Sequence, residues 1–60
     1  MHIWNYVFVY NNAPERVIGP KQHQQSVMEQ WMQRYEIVID LPNLKVLRHR
    51  DGLAFFWPVV

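Results

Sequence analysis

The sequence predicts an α+β fold in which an antiparallel sheet of three to five strands carries one helix across one face. Three features predict it: segments rich in β-branched and aromatic residues near both ends, one stretch with helical spacing between them, and an Asp-Gly dipeptide between two apolar segments near the C-terminus. Because 60 residues can build only one small core, we expect a single domain over residues 1–60.

The segment Ile3–Tyr10 predicts the first strand, since all but one of its residues are apolar or aromatic and an Asn-Asn-Ala-Pro turn sequence follows. Alternation gives one face with Trp4, Tyr6, Phe8 and Tyr10 and another with Ile3, Asn5, Val7 and Val9. Residues 16–18 predict at most a short returning strand, which Gly19 and Pro20 would end.

Side chains that recur at spacings of three and four predict one amphipathic helix. They are Gln24, Val27, Met28, Trp31, Met32 and Tyr35. Pro20 suits a first helical position, whereas Ser26 followed by Glu29 resembles a capping box that begins the helix later. We expect a helix over residues 26–35 after a frayed turn from Pro20, with its apolar stripe docked on the sheet.

Three further strands are predicted over Glu36–Leu41, Leu44–Arg50 and Leu53–Val60. Between the last two, Asp51 and Gly52 predict a type I′ turn, which needs positive φ at both residues. That turn would place Arg48 opposite Phe55. Because Pro58 lacks an amide hydrogen, the last strand should lie at a sheet edge or have its final residues unpaired.

The first and last predicted strands carry large apolar residues on both faces, and one short helix covers only one face of a sheet. A chain of this size without disulfides or metal is also marginally stable. We therefore expect another chain to cover the second face, either a second copy in a homodimer or a different protein.

The composition excludes several classes of protein. Six Lys and Arg against five Asp and Glu leave a net charge of +1, which gives no strong attraction to nucleic acid or an anionic membrane. The absence of cysteine excludes disulfide scaffolds, thiolate zinc sites and thiol enzymes, and it suits a reducing cytoplasm. No signal peptide follows Met1, and the longest apolar run has eight residues, so we expect a complete cytoplasmic reading frame without a membrane span.

Groups for nucleophilic or metal chemistry are few. Ser26 is the only serine, threonine and cysteine are absent, and a helix cap accounts for Ser26. The histidines, at positions 2, 23 and 49, lack the spacing of metal ligands. We expect no metal, and an enzyme with His49 as general base remains a third hypothesis.

Carboxylates and glycines are equally uninformative about catalysis. Glu36 and Asp40 would lie about 13 Å apart along one strand, too far for a glycosidase pair. Gly19 and Gly52 are both needed at turns or element boundaries, which leaves no glycine-rich phosphate loop. We therefore expect no catalytic residue and no cofactor.

Two groups of residues could bind a macromolecule. An aromatic row on the first strand could stack nucleic-acid bases, but no basic residue is interleaved with it, and a core or dimer face is the favoured explanation. A basic group at the predicted hairpin tip could contact phosphates or an acidic protein, or stack Arg48 on Phe55. It consists of Lys45, Arg48, His49 and Arg50.

These observations favour a non-enzymatic, homodimeric protein-binding module that blocks a surface on another protein through an aromatic sheet face or an edge strand. The expected partner-binding residues are Trp4, Tyr6, Phe8, Tyr10, Arg48 and Arg50. Small reading frames of this kind are often phage or plasmid accessory proteins or inhibitors of a host protein, which is an argument by analogy. The alternative is a nucleic-acid-binding protein that uses the basic hairpin tip and the sheet aromatics.

Overall fold

The computed structural model describes residues 2–59, which contain one helix and five strands. They are β1 Ile3–Tyr10, β2 Ile18–Gln24, α1 Gln25–Arg34, β3 Glu36–Leu41, β4 Leu44–His49 and β5 Gly52–Pro58. The strands form one antiparallel sheet in the order β2-β1-β5-β4-β3, and α1 packs on one of its faces. The predicted α+β fold is confirmed; the predicted end of the last strand at Val60 lies outside the described residues.

β2 begins at Ile18, the last residue of the short strand predicted over residues 16–18. It continues through Gly19 and Pro20, so the predicted stop and the frayed helical turn are both wrong. β2 is an edge strand, where a proline without N–H is tolerated. Gly19 has φ 102° at a bulge opposite β1, and a Cβ there would overlap the carbonyl oxygen of Tyr6. These two residues therefore shape a bulged edge strand.

Helix α1 follows β2 without a loop. Gln24 is its N-cap residue and makes no side-chain cap bond, while Ser26 lies inside the first turn, so the predicted capping box is wrong. Gln24 still pairs with Ile3 in the sheet, which fixes the place where the helix must begin. The Gln25 N–H donates to the carbonyl of His2 at 3.1 Å, which satisfies one of the free amides of the first turn.

The β4–β5 hairpin has Arg50 and Asp51 in its loop, and Gly52 belongs to the strand. Arg48 lies opposite Leu53, two positions from the predicted partner Phe55. Because the shift is two residues, each side chain keeps its predicted face. Gly19 is the only residue with positive φ in the described part of the chain, so the Asp-Gly type I′ turn is not confirmed.

Pro58 lies on a central strand, since β5 runs between β1 and β4. Of the two predicted alternatives, the edge position is wrong, and unpaired final residues are found on the β4 side only. The ladder between β4 and β5 ends at the pair Lys45–Phe56, so Pro58 extends past β4 and meets only β1, opposite Trp4. Pro58 has no N–H to donate. Because no residue of the β4 ladder lies opposite it, no carbonyl of that ladder is left without a donor.

The hydrophobic core lies between α1 and one face of the sheet. Phe56 and Leu47 are its largest fully buried side chains, and the Phe56 ring centroid lies 5.0 Å from that of Tyr6 and 6.0 Å from that of Trp31. The buried cluster consists of Trp4, Tyr6, Phe8, Met28, Leu47, Ala54 and Phe56. We call this side of the sheet the helix face, and the opposite side the open face.

Candidate protein-binding surface

The aromatic row of β1 lies on the helix face. Trp4, Tyr6 and Phe8 are only 7%, 7% and 5% exposed, so the prediction that they form an exposed partner surface is wrong. Helix α1 docks on these rings because they offer more apolar area than the aliphatic side chains on the other face of β1. Burial, with smaller contributions from the charges of Tyr10 and Tyr35, raises the pKa of Tyr6. The interpretation of the row as core is confirmed for these three residues.

Tyr10 ends the row and is half-buried. Its ring packs edge-on against Phe8 with the centroids 4.9 Å apart, and the guanidinium of Arg16 lies 6.0 Å from its centroid. Tyr10 is therefore already in contact with side chains of its own chain on two sides.

The predicted basic group does not come together. Lys45 lies on the helix face and is ion-paired with Asp40 on β3. Arg48 lies on the open face with its guanidinium 3.7 Å from Glu36, and Arg50 projects from the hairpin loop with 89% of its side chain exposed. The alternation of β4 therefore places Lys45 and Arg48 on opposite sides of the sheet.

His49 packs among aromatic rings, with its centroid 4.9 Å from that of Tyr35 and 5.6 Å from that of Phe8. Its Nδ1 accepts a hydrogen bond from the Asp51 N–H at 3.0 Å. A neutral ring in this contact carries its proton on Nε2. Residues 2–59 also contain no group of three His, Asp or Glu side chains placed to hold a metal ion.

An apolar row crosses the open face over four strands. It runs from Val7 on β1 to Phe55, Val46 and Ile39, each opposite the next in the ladder. The face carries ten apolar side chains in all: Ile3, Val7, Val9, Ile39, Leu41, Leu44, Val46, Leu53, Phe55 and Trp57. Within residues 2–59 the one helix packs on the other side. Neighbours within the sheet bury Val46 to 4% exposure and leave the other nine side chains half-buried or exposed.

Polar residues border the open face at opposite edges. The pair Asn5–Gln22 lies at the β1–β2 edge, and the pair Arg48–Glu36 lies at the β4–β3 edge. An apolar centre with a polar rim is the usual composition of a protein interface.

The two edges of the sheet differ in composition. β2 is polar, contains Pro20 and Lys21, and has the features that protect an edge from pairing with another chain. β3 is exposed along its whole length and carries four of the six exposed large apolar side chains found in residues 2–59. These are Ile37 at 42%, Val38 at 43%, Ile39 at 37% and Leu41 at 49% exposure. Both edges contain a bulge, so the difference lies in their side chains.

The charges of β3 are compensated by its neighbour β4. Asp40 pairs with Lys45, and Glu36 lies 3.7 Å from Arg48. Each carboxylate is therefore directed toward β4, and β3 presents little net charge to a strand arriving from outside. Charge is one of the main means by which edge strands avoid intermolecular pairing, and here its effect is reduced.

Sequence reasoning predicted β3 as a strand but did not select it as a binding surface. The local signal is the consecutive run Ile37-Val38-Ile39 between two carboxylates, which lacks the alternation of a strand with one solvated face. Whether such a strand is central or at an edge depends on the strand order, which local sequence does not determine.

Comparison with protein-family models, with curated proteins and with solved structures found no match. No helix within residues 2–59 has both the length and the apolar character needed to cross a membrane.

Proposed function

We propose that this chain is a non-enzymatic protein-binding module that adds an extended segment of a partner protein to its sheet along β3. In strand addition the partner's main chain completes the hydrogen bonds of an edge strand, and alternate side chains fill apolar sites beside it. The observation that supports this function is the exposed, apolar β3 edge with its compensated carboxylates.

The chemistry of β3 defines the partner segment. Ile37 lies on the helix-face side of this edge, Ile39 and Leu41 lie on the open-face side, and Val38 is at the bulge. No uncompensated cation lies beside these side chains to attract a phosphate. The segment that fits is extended, rich in β-branched residues and uncharged at its centre. A module that occupies such a segment denies it to other proteins, which is how an inhibitor or accessory protein of small size would act.

A lysine at Val38 tests the proposal, because a charged residue at an edge strand opposes the addition of another strand. Val38 is 43% exposed, so the lysine can reach water and the fold should survive. Val17, outside β3 and 48% exposed, provides the matched control Val17→Lys. The probe is a fluorescein-labelled, alternating Thr-Val peptide, together with the same peptide N-methylated at alternate amides to remove its pairing hydrogens.

Fluorescence anisotropy should show that the wild type and Val17→Lys bind the unmethylated peptide with equal affinity. Val38→Lys should bind at least about tenfold more weakly, because a 1.4 kcal/mol loss corresponds to that factor. Binding of the N-methylated peptide as tight as that of its parent would contradict strand addition, as would equal affinities of the two lysine variants. A wild type that binds neither peptide would also overturn the proposal.

A further inference from the structure

We infer that the open face is covered by a second copy of this chain, related by a two-fold axis, so that two sheets pack face to face with a helix on each outer side. This inference does not rest on the proposed function. Ile39 and Leu41 belong to both surfaces, but β3 would bind a partner through the main-chain groups of its edge, whereas a second copy would cover the side chains of the open face. It concerns the apolar row of Val7, Phe55, Val46 and Ile39 and the apolar side chains around it.

The size of the open face suits a second copy. Five strands of six to eight residues, about 4.8 Å apart, form a sheet roughly 20 to 25 Å on each side. The open face therefore covers roughly 400–600 Å², which is of the same order as the roughly 800 Å² that each partner buries in a stable interface. A second copy has an open face of the same size and shape. Each copy could therefore cover the whole apolar surface of the other.

The charge distribution of the open face permits contact with itself. In a two-fold interface, an unpaired charge near the axis lies opposite the same charge of the other copy and is repelled by it. The charged side chains of this face are Arg48 and Glu36, which lie 3.7 Å apart at its border. The centre is apolar, so two copies bring no like charges together there. Facing sheets of this kind pack about 10 Å apart with their strands about 30° from parallel.

The small core favours a partner that is always present. The buried cluster lies on one face of the sheet only, and just two large side chains in residues 2–59, Phe56 and Leu47, are less than 2% exposed. Chains of this length are near the lower limit of independent stability. Burial of the open face would add stability wherever the chain is made, and a second copy is the one partner whose concentration always equals that of the chain.

Phe55→Lys tests this inference by placing two charges at the centre of the proposed interface. Phe55 is half-buried on the open face, so the lysine can be solvated in a free chain but not between two sheets. Two variants serve as controls: Gln33→Lys on the exposed side of α1, and Val38→Lys on the β3 edge. Sedimentation equilibrium over a dilution series reports the mass, and circular dichroism reports the fold.

We expect the wild type, Gln33→Lys and Val38→Lys to show twice the 7.3 kDa of one chain. Phe55→Lys should raise the dissociation constant of the dimer at least about 100-fold, since the change occurs twice in a symmetric interface. A folded wild-type monomer at every concentration would overturn the inference. A dimer unaffected by Phe55→Lys would overturn it too, and a dimer broken by Val38→Lys would place the contact at the edge instead.

A second variant guards against a Phe55→Lys chain that does not fold. Val7→Thr keeps the shape and the β propensity of the side chain and adds one hydroxyl to the same apolar row. We expect it to fold and to dimerise at least about tenfold more weakly, because two hydroxyls, one from each copy, lose water in the interface. Unchanged dimerisation of this variant would count against the open face as the interface. Peptide binding at β3 is measured on the same samples, so that failure of the proposed function is recognised separately.

Discussion

Gly52 lies against the backbone carbonyl of Val9, in a position where a Cβ would overlap the carbonyl oxygen. Gly52 is paired with Tyr10 on one side and His49 on the other, so it is the first residue of the central strand. The glycine is thus required by the close approach of β1 to β5, and not by a left-handed turn conformation. With Gly52 in β5, the hairpin register differs by two residues from the local prediction.

Gly52→Ala should therefore destabilise the fold by about 1–3 kcal/mol, because β1 and β5 must separate to admit a methyl group. Arg50→Ala, in the adjacent loop and with 89% of the Arg50 side chain exposed, should change the stability by less than about 0.5 kcal/mol. Urea denaturation of the two variants at equal chain concentration measures both effects. Equal midpoints for Gly52→Ala and the wild type would contradict the proposed contact.

Ser26→Ala separates the two accounts of the helix start. If Ser26 capped the helix, its loss would cost about 1 kcal/mol. In the structure Ser26 lies within α1 and Gln24 is the N-cap residue without a cap bond, so alanine should be neutral or stabilise by up to about 0.5 kcal/mol. Thermal unfolding followed at 222 nm measures the change, and a clear decrease of the melting temperature would show that Ser26 acts as a cap.

The sequence predicts those features that depend on local pattern. β1 and β3 have their predicted bounds, and alternation correctly divides β1 into its two faces. Features that depend on which strands become neighbours were predicted less well. β2 continues through Gly19 and Pro20 because it became an edge, and the aromatic row became core because α1 packs on that face. The candidate binding surface in the structure differs from the predicted one for the same reason. The exposure of β3 depends on the strand order, and the strand order is a property of the whole chain.

Two leucines on neighbouring strands test whether the helix-face core contributes more to the free energy of unfolding than the exposed edge strand does. Leu47 is fully buried in the helix-face cluster, whereas Leu41 is 49% exposed on β3. Leu47→Ala should cost about 2–5 kcal/mol, which is a large part of the stability of so small a domain. In the monomer, at a chain concentration well below the dissociation constant of the inferred dimer, Leu41→Ala should cost less than about 1 kcal/mol, because its side chain loses little burial. Chemical denaturation at one fixed chain concentration compares them, and similar losses would mean that the open side of the sheet is as tightly packed as the core.

Tyr6 should make the fold sensitive to alkaline pH. Burial, together with the charges of Tyr10 and Tyr35, raises the pKa of Tyr6, so the folded chain keeps the phenol proton to a higher pH than the unfolded chain does. Above about pH 10 the unfolded state releases this proton first and binds fewer protons than the folded state, so the stability falls as the pH rises. Below that pH the contribution is fully present and independent of pH.

Tyr6→Phe removes this group while keeping the ring that packs against Phe56 and Trp31. The free energy of unfolding of the wild type should fall more steeply than that of Tyr6→Phe between about pH 9 and pH 11, and the two curves should run parallel near neutral pH. Subtracting the curves cancels the titration of every group that both chains share. A difference that stays constant over the alkaline range would mean that the Tyr6 hydroxyl reaches water in the folded state as freely as in the unfolded one.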